Sequence, residues 1–246
     1  MIFAKGIVMS VDPGSQKYGV PSHFTWDRMT VAHNTIGVDE TTQTEATGTL
    51  LFWQAEPEFT AVTADAGPVY KSADLQKTVL LTSDYVLQVT TGKSTDGKEH
   101  DFDLSYHNYG VQHADGTFEP YSGFPQRDGY QHLTDNRTAR VTGDFHTKFV
   151  MDEGKEMNVW VLGNGKPSQV FIGLGLGPHL TVKVPYTLVR RHGASARFVA
   201  VFEPGPTQAK IVSISSAADG TIHIRSTQWE DTIAIGEKVA YRRVRN

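Results

Sequence analysis

Apolar and polar positions alternate along most of this 246-residue chain. Strand-like runs include "GTLLFW", "KTVLLTSDYVLQVTTG", "HDFDLSYHNYG", "MNVWVLG", "SQVFIGLG", "LTVKVPYTLVRR", "ARFVAVFEPG", "GTIHIRSTQ" and "TIAIGEKVAYRRV", and many of them carry a period of two, the mark of half-buried antiparallel strands. Between them lie "TSDY", "STDGKEH", "HADGTF", "GNGKPS" and "AADGT", which supply turn residues and are expected to close hairpins. No stretch of twelve residues has a helical period. Short strands separated by frequent turns predict an all-β fold: a large antiparallel β-sandwich with almost no helix, built as one unit over residues 1–246. No repeat of fixed length occurs, so a propeller or solenoid is not expected.

Residues 108–147 are less regular, aromatic and rich in Gly, Asp and Arg. Long irregular segments in compact folds are often functional, and an ordinary crossing between sheets is the equally weighted alternative. Just before them, alternation in "HDFDLSYH" puts His100, Phe102, Leu104 and Tyr106 on one face and Asp101, Asp103, Ser105 and His107 on the other. Two histidines seven apart point opposite ways, so they cannot share a metal without a bulge. Asp103 and His107 share a face but are about 13 Å apart along a straight strand. An apolar face suits His100 as a buried residue holding a loop; a ligand or catalytic role stays open.

In "TVAHNTIGVDETTQ" the same alternation sets Val31, His33, Thr35 and Gly37 against Ala32, Asn34, Ile36 and Val38. Ile36 and Val38 are the core-facing residues, which leaves His33 on the open face as a donor, acceptor or metal ligand. "GLGLGPH" is not a dinucleotide loop, because a strand rather than a helix follows it; it reads as a strand with small residues on one face. No Walker loop, nucleophile elbow or zincin motif is present.

Composition narrows the function further. At 39% hydrophobic residues the chain can bury a substantial core, and a net charge of −4 gives no field that favours nucleic acid or anionic membranes. Without cysteine there is no disulfide, thiolate metal site or cysteine nucleophile. No apolar run is long enough to span a membrane. "MIFAKGIVMSVDPGS" reads as a first strand and turn rather than a signal peptide. Arginines gather at Arg190, Arg191, Arg197, Arg242, Arg243 and Arg245, where they could pair carboxylates or sulfates of an acidic sugar chain, or simply occupy solvated strand ends.

Several stretches, in order, resemble the β-sandwich domain of the heparinase II/III-like polysaccharide lyases, a group that includes alginate and glycosaminoglycan lyases. They are "DPGSQKYGVPSHFTWDRMTVAHNTIGVDETTQ", "KTVLLTSDYVLQVTTGKSTDGKEHDFDLSYHNYG", "DGYQHL" and "VPYTLVRRHGASARFVAVFEPG", of which "AHNTIGVD" and "EHDFDLSYH" are the most specific. They cover most of residues 10–205.

The resemblance implies a secreted or periplasmic protein acting on uronic-acid-containing polysaccharide by β-elimination. In such lyases a helical toroid precedes the sandwich and supplies most of the catalytic groups; no toroid is expected here, so a helical catalytic domain or a second copy of the chain is an expected partner. The histidine of the His-Asn-Thr stretch, here His33, is implied to face the cleft. Tyr106, His107 and Tyr130 join it as catalytic candidates, and Asn34, Arg190 and Arg191 as substrate-binding candidates. The resemblance also implies a structural metal, commonly zinc, with His33 and Asp65 as ligands by position and His100 or His107 available as a third. Two other readings stand beside the lyase: a non-catalytic sandwich that binds acidic polysaccharide or packs on a catalytic partner, and a metal-dependent glycoside hydrolase using His33, Asp65 and His100.

Overall fold

The computed structural model describes residues 1–163, 165–179, 181–205 and 210–245. Among them the fold is all-β and antiparallel, as the alternation predicts. A six-stranded sheet runs in the order Glu119–Pro120, Thr134–Val141, Ser168–Leu176, Lys183–Gly193, His100–His107, Ile36–Val38. It faces an eight-stranded sheet ordered Thr49–Ala55, Thr60–Asp65, Ala73–Leu81, Val86–Ser94, Ser195–Gly205, Glu156–Val161, Phe145–Val150, Val111–Ala114. A four-stranded meander, Ile211–Ser216 to Val239–Arg245, forms a third layer, and a small hairpin, Ile2–Ala4 with Ile7–Ser10, completes the strands.

Three apolar clusters hold the layers. The first, with Phe102, Phe149, Met157, Phe198 and Phe202, fills the space between the two large sheets. The second joins the other face of the eight-stranded sheet to the meander through Leu80, Leu87, Val201, Ile222 and Ile233. The third covers the outer face of the six-stranded sheet with Trp26, Val31, Phe124, Tyr130, Phe171 and Leu188. Because both faces of the eight-stranded sheet are covered, its central strand loses the alternation seen elsewhere. In "RFVAVF", Phe198, Ala200 and Phe202 face the first cluster and Val199 and Val201 the second.

Several turn expectations need correction. "TSDY" and "AADGT" do close hairpins, joining Ala73–Leu81 to Val86–Ser94 and Ile211–Ser216 to Ile222–Ser226. "STDGKEH" and "HADGTF" instead carry the chain from the eight-stranded to the six-stranded sheet. So does "GNGKPS", whose Asn164 lies outside the described residues. The same turn chemistry serves a crossing as well as a hairpin, and only the destination of the next strand distinguishes them.

His33 is not on a strand. Thr30–Ala32 form a single 3-10 turn, and the strand is only Ile36–Val38, buried throughout. The Asn34 side chain takes backbone partners from neighbouring segments and diverts the chain from a ladder.

Arg191 is likewise a structural residue. It is 5% exposed, and its guanidinium donates to the carbonyls of Leu162 and Arg197 and to Ser168 Oγ, while stacking 4.7 Å from the Phe198 ring. Arg243 pins the third layer in a similar way, through a fully buried Asp231 that also accepts from Tyr85 and Tyr241.

Candidate functional site on the outer face of the six-stranded sheet

The segment from Val11 to Thr35 crosses the outer face of the six-stranded sheet and is seated there by one tryptophan. Trp26 is completely buried, and its Nε1–H donates to the carbonyl of Leu176 at 2.9 Å. The small-residue face read in "GLGLGPH" explains the seat. A Cβ on Gly175 would lie 2.9 Å from the Trp26 ring, and one on Gly173 would lie 2.9 Å from Tyr186. The rings of His107 and His132 flank the indole at 6.0 and 5.9 Å.

Trp26 belongs to a short π-helical turn, His23–Asp27, that brings a histidine and a carboxylate together. Asp27 is buried, its Oδ2 accepts the Gln16 N–H and lies 3.5 Å from His23 Nδ1, and its Oδ1 has no hydrogen-bond partner. The chain then delivers His33. Its Nδ1 is 2.8 Å from Asp12 Oδ2 and its Nε2 is 2.9 Å from the Asp27 carbonyl. Both oxygens are acceptors, an arrangement that a doubly protonated imidazolium satisfies. The two side chains are accessible, at 34% for His33 and 43% for Asp12. Burial opposes the Asp12 charge, but the hydrogen bonds from His33 and the Gly14 N–H outweigh it and hold the carboxyl below its ordinary range. Asp12 and His33 are thus a partly exposed, hydrogen-bonded pair on the rim of the Trp26 seat.

The other sequence candidates go elsewhere. Asn34 anchors this segment: its Nδ2 donates to Ser10 Oγ and the Val11 carbonyl, and its Oδ1 accepts the His107 N–H at 2.7 Å. His107 is 2% exposed beneath Trp26; burial pulls its imidazole down to about 3, so it is neutral, and its Nε2 has no partner. A residue so enclosed cannot reach a polysaccharide. Tyr106 points the opposite way, into the core between the sheets beside Phe149 and Phe202, and donates to Asn108 Oδ1. Tyr130 is 3% exposed and donates to Asp103 Oδ2 at 3.0 Å. Arg190 stands directly opposite Asp103 in the ladder and binds it through two 2.7 Å bonds, with a third to Glu40. These residues build an ion network largely buried under the 121–133 loop, and Arg190 also borders a surface pocket with Asp101, Arg140 and His192.

The residues named for a metal do not converge. His33 pairs with Asp12, Asp65 accepts the Gly67 N–H in a tight turn, and His100 is bound by Asp39 and Asp96. Among the described residues no group of three or more His, Asp or Glu side chains is placed to hold a metal ion. The set His33, Asp65 and His100 therefore does not fit zinc, which needs about four ligands around one point. The carboxylate that meets His33 is Asp12.

His100 fulfils the alternative that sequence allowed, a buried histidine tying loops together. Its Nδ1 lies 2.6 Å from Asp39 Oδ2 and its Nε2 3.0 Å from Asp96 Oδ1. The Asp39 and Asp96 carboxylates, in that order, raise its affinity for a proton above the ordinary imidazole value. The folded state therefore holds a proton that the unfolded chain releases first. The stabilisation is complete below the unfolded value, near pH 6.5, and fades as pH rises through the higher folded value. His100→Gln should lower stability by about 1–2 kcal/mol at pH 5, and the gap from wild type should narrow by pH 9. Urea midpoints at the two pH values provide the check; an equal gap at both would rule out a charged His100.

Asp12, His23, Trp26, Asp27 and His132 were not singled out by sequence reasoning. The readable signals were the i, i+4 spacing of His23 and Asp27 in "SHFTWD" and the acidic turn "VDPG" ahead of a histidine-bearing segment.

No family model matches this chain, and no curated protein matches it significantly by sequence. Solved structures do match. Heparan sulfate lyase HepC from Pedobacter heparinus aligns over 98% of the chain with a TM-score of 0.67 and 15% identity. The chain shares its fold with that part of the lyase. Heparinase III aligns over 98% with a TM-score of 0.63 and 14% identity, and the heparinase III-BT4657 gene product over 98% with 0.62 and 13%. At these identities the likeness is one of fold. The chain spans about a third of each matched heparinase, 35%, 34% and 35% of their lengths respectively.

Proposed function

We propose that this chain is the β-sandwich part of a polysaccharide lyase that cleaves a uronic-acid-containing polymer, alginate or glycosaminoglycan-like, by β-elimination outside the cytoplasm. The observation that supports this most is the partly exposed Asp12–His33 pair, standing on a fold shared with heparan sulfate lyases. Elimination needs a base for the C5 proton, a proton donor for the leaving oxygen and a partner for the C6 carboxylate as negative charge builds. An imidazolium held by Asp12 suits the second and third tasks. Rotated away from the Asp27 carbonyl, the His33 Nε2–H could reach the leaving oxygen, and its charge would favour the substrate carboxylate. In this reading the base belongs to a helical part such as the resemblance implies, since His107, Tyr106 and Tyr130 are all enclosed.

A second reading is favoured by that same enclosure. With Arg190 and Arg191 also committed internally, the sandwich could serve as a non-catalytic module that binds acidic polysaccharide. Both readings predict saturable, salt-sensitive binding of heparan sulfate or alginate but not of a neutral glucan. His33→Ala should weaken that binding at least tenfold, about 1.4 kcal/mol, with the circular dichroism spectrum unchanged. Equal affinity for neutral glucan, or an unaffected His33→Ala variant, would remove His33 from the site.

A further inference from the structure

The eight-stranded sheet extends past its six-stranded partner and leaves part of its inner face open. On that face Ala73, Leu75, Lys77, Val79 and Leu81 stand in phase along one strand, and burial falls off along it. Leu75 is 3% exposed within the core, whereas Leu81 is 53% exposed. Lys77 stands where the sandwich opens, at the wall of a cavity of about 390 Å³ that also takes in Ser10, Asn34, Val79, Gln88 and Tyr106. Its Nζ donates to the Asn34 carbonyl at 3.1 Å and has no carboxylate at ion-pair distance among the described residues. Buried charges are normally paired, so a half-buried lysine that faces a cavity without a carboxylate beside it suits an incoming anion. Burial alone pulls its ammonium down to about 8, a cost that an incoming anion would relieve.

The same face continues outward as an apolar shelf. Val79 pairs with Val62, and Val62 with Trp53 on the edge strand Thr49–Ala55, so the three side chains form one row. Trp53 is 65% exposed. It lies two strands and one residue pair from Lys77, roughly 12 Å at ordinary strand spacing, the span of a short oligosaccharide. A flat indole, an aliphatic floor and one lone cation fit a sugar chain that carries a carboxylate and stacks an apolar ring face. They do not fit a free inorganic anion, which would have no use for the shelf.

We propose that this shelf is a second saccharide subsite, in which Lys77 receives the carboxylate of a uronic acid residue and Trp53 stacks a neighbouring sugar. Asn34 couples it to the first site: its carbonyl holds Lys77, and it follows His33 directly. The inference rests on the acidic-polysaccharide reading above and names a surface that such a polymer contacts.

The test is calorimetric titration of the chain with a heparan oligosaccharide containing glucuronate, and with its carboxyl-reduced counterpart. Lys77→Met should fold normally, since it removes a half-buried charge that has no carboxylate partner among the described residues, and should bind the acidic oligosaccharide at least tenfold more weakly. Lys77→Arg should retain most of the affinity, and Trp53→Ala should lose several-fold. The carboxyl-reduced ligand should bind weakly and be indifferent to Lys77→Met. If the acidic ligand binds and His33→Ala weakens it while Lys77→Met and Trp53→Ala do not, the subsite is wrong and the acidic-polysaccharide reading survives. If wild type binds no acidic saccharide, both fall.

Discussion

Asp103→Ala is expected to cost about 3–5 kcal/mol, because it leaves the Arg190 guanidinium buried without its main counter-charge. Asp103 has no exposed surface, receives two bonds from Arg190 and accepts the Tyr130 hydroxyl. Burial works against the Arg190 charge, but the Asp103 and Glu40 carboxylates outweigh it and hold the guanidinium firmly protonated. Glu40 and, at 3.8 Å, Asp101 would remain, and both of their side chains are partly open to solvent. The pair also ties the 121–133 loop to the sheet, so its loss should loosen the cover over the outer face. A double variant, Asp103→Ala with Arg190→Met, should recover much of the loss, since replacing both partners removes the stranded charge. Urea midpoints for the two single variants and the double complete the cycle. A single-variant loss below about 1 kcal/mol would mean that water reaches Arg190.

Trp26→Ala is the second large effect, expected at about 3–5 kcal/mol for a buried tryptophan replaced by alanine. Its consequence is wider than a cavity. The indole is the seat for the whole segment that carries Asp12, His23, Asp27 and His33, and it closes over His107. The variant should expose amides of residues 16–33 to hydrogen exchange well before the core strands. His107, relieved of its cover, should begin to titrate nearer the ordinary imidazole range. Uniform loss of protection across the chain, with no preference for residues 16–33, would show that this segment is not a separate unit seated on Trp26.

The fold was legible because alternation is a backbone property: a strand with one wet face has to alternate, and "KTVLLTSDYVLQVTTG" does. "ARFVAVFEPG" was read with the alternating strands, although its unbroken apolar run "FVAVF" marks a strand covered on both sides. Lys77 was passed over in the sequence, although it stands in phase with Leu75, Val79 and Leu81; sequence does not tell whether such a lysine finds a carboxylate. Arg190 and Arg191 were misread as a pair. Neighbours on a strand face opposite ways, and here each face was buried, one over Asp103 and one over three oxygen acceptors.

The site was harder to read, because it depends on where irregular backbone goes. Asp12 reaches His33 across 21 residues of turns, and no periodicity governs such a crossing. Position along the chain made Asp65 look like the partner of His33, whereas its carboxylate is spent on the turn at Gly67. The His-Asn-Thr stretch was singled out by alternation and strengthened by resemblance, but its geometry departs from the strand that alternation proposed.

The most direct measurement is ultraviolet absorbance during incubation of the chain with heparan sulfate, heparin, hyaluronan, chondroitin sulfate and alginate. Elimination leaves a conjugated C4–C5 double bond that absorbs; hydrolysis leaves only new reducing ends. The lyase reading predicts a rise on one acidic polymer, by the chain alone or joined to a helical catalytic part, that His33→Ala abolishes. New reducing ends without absorbance, or a rise that His33→Ala leaves intact, would contradict it.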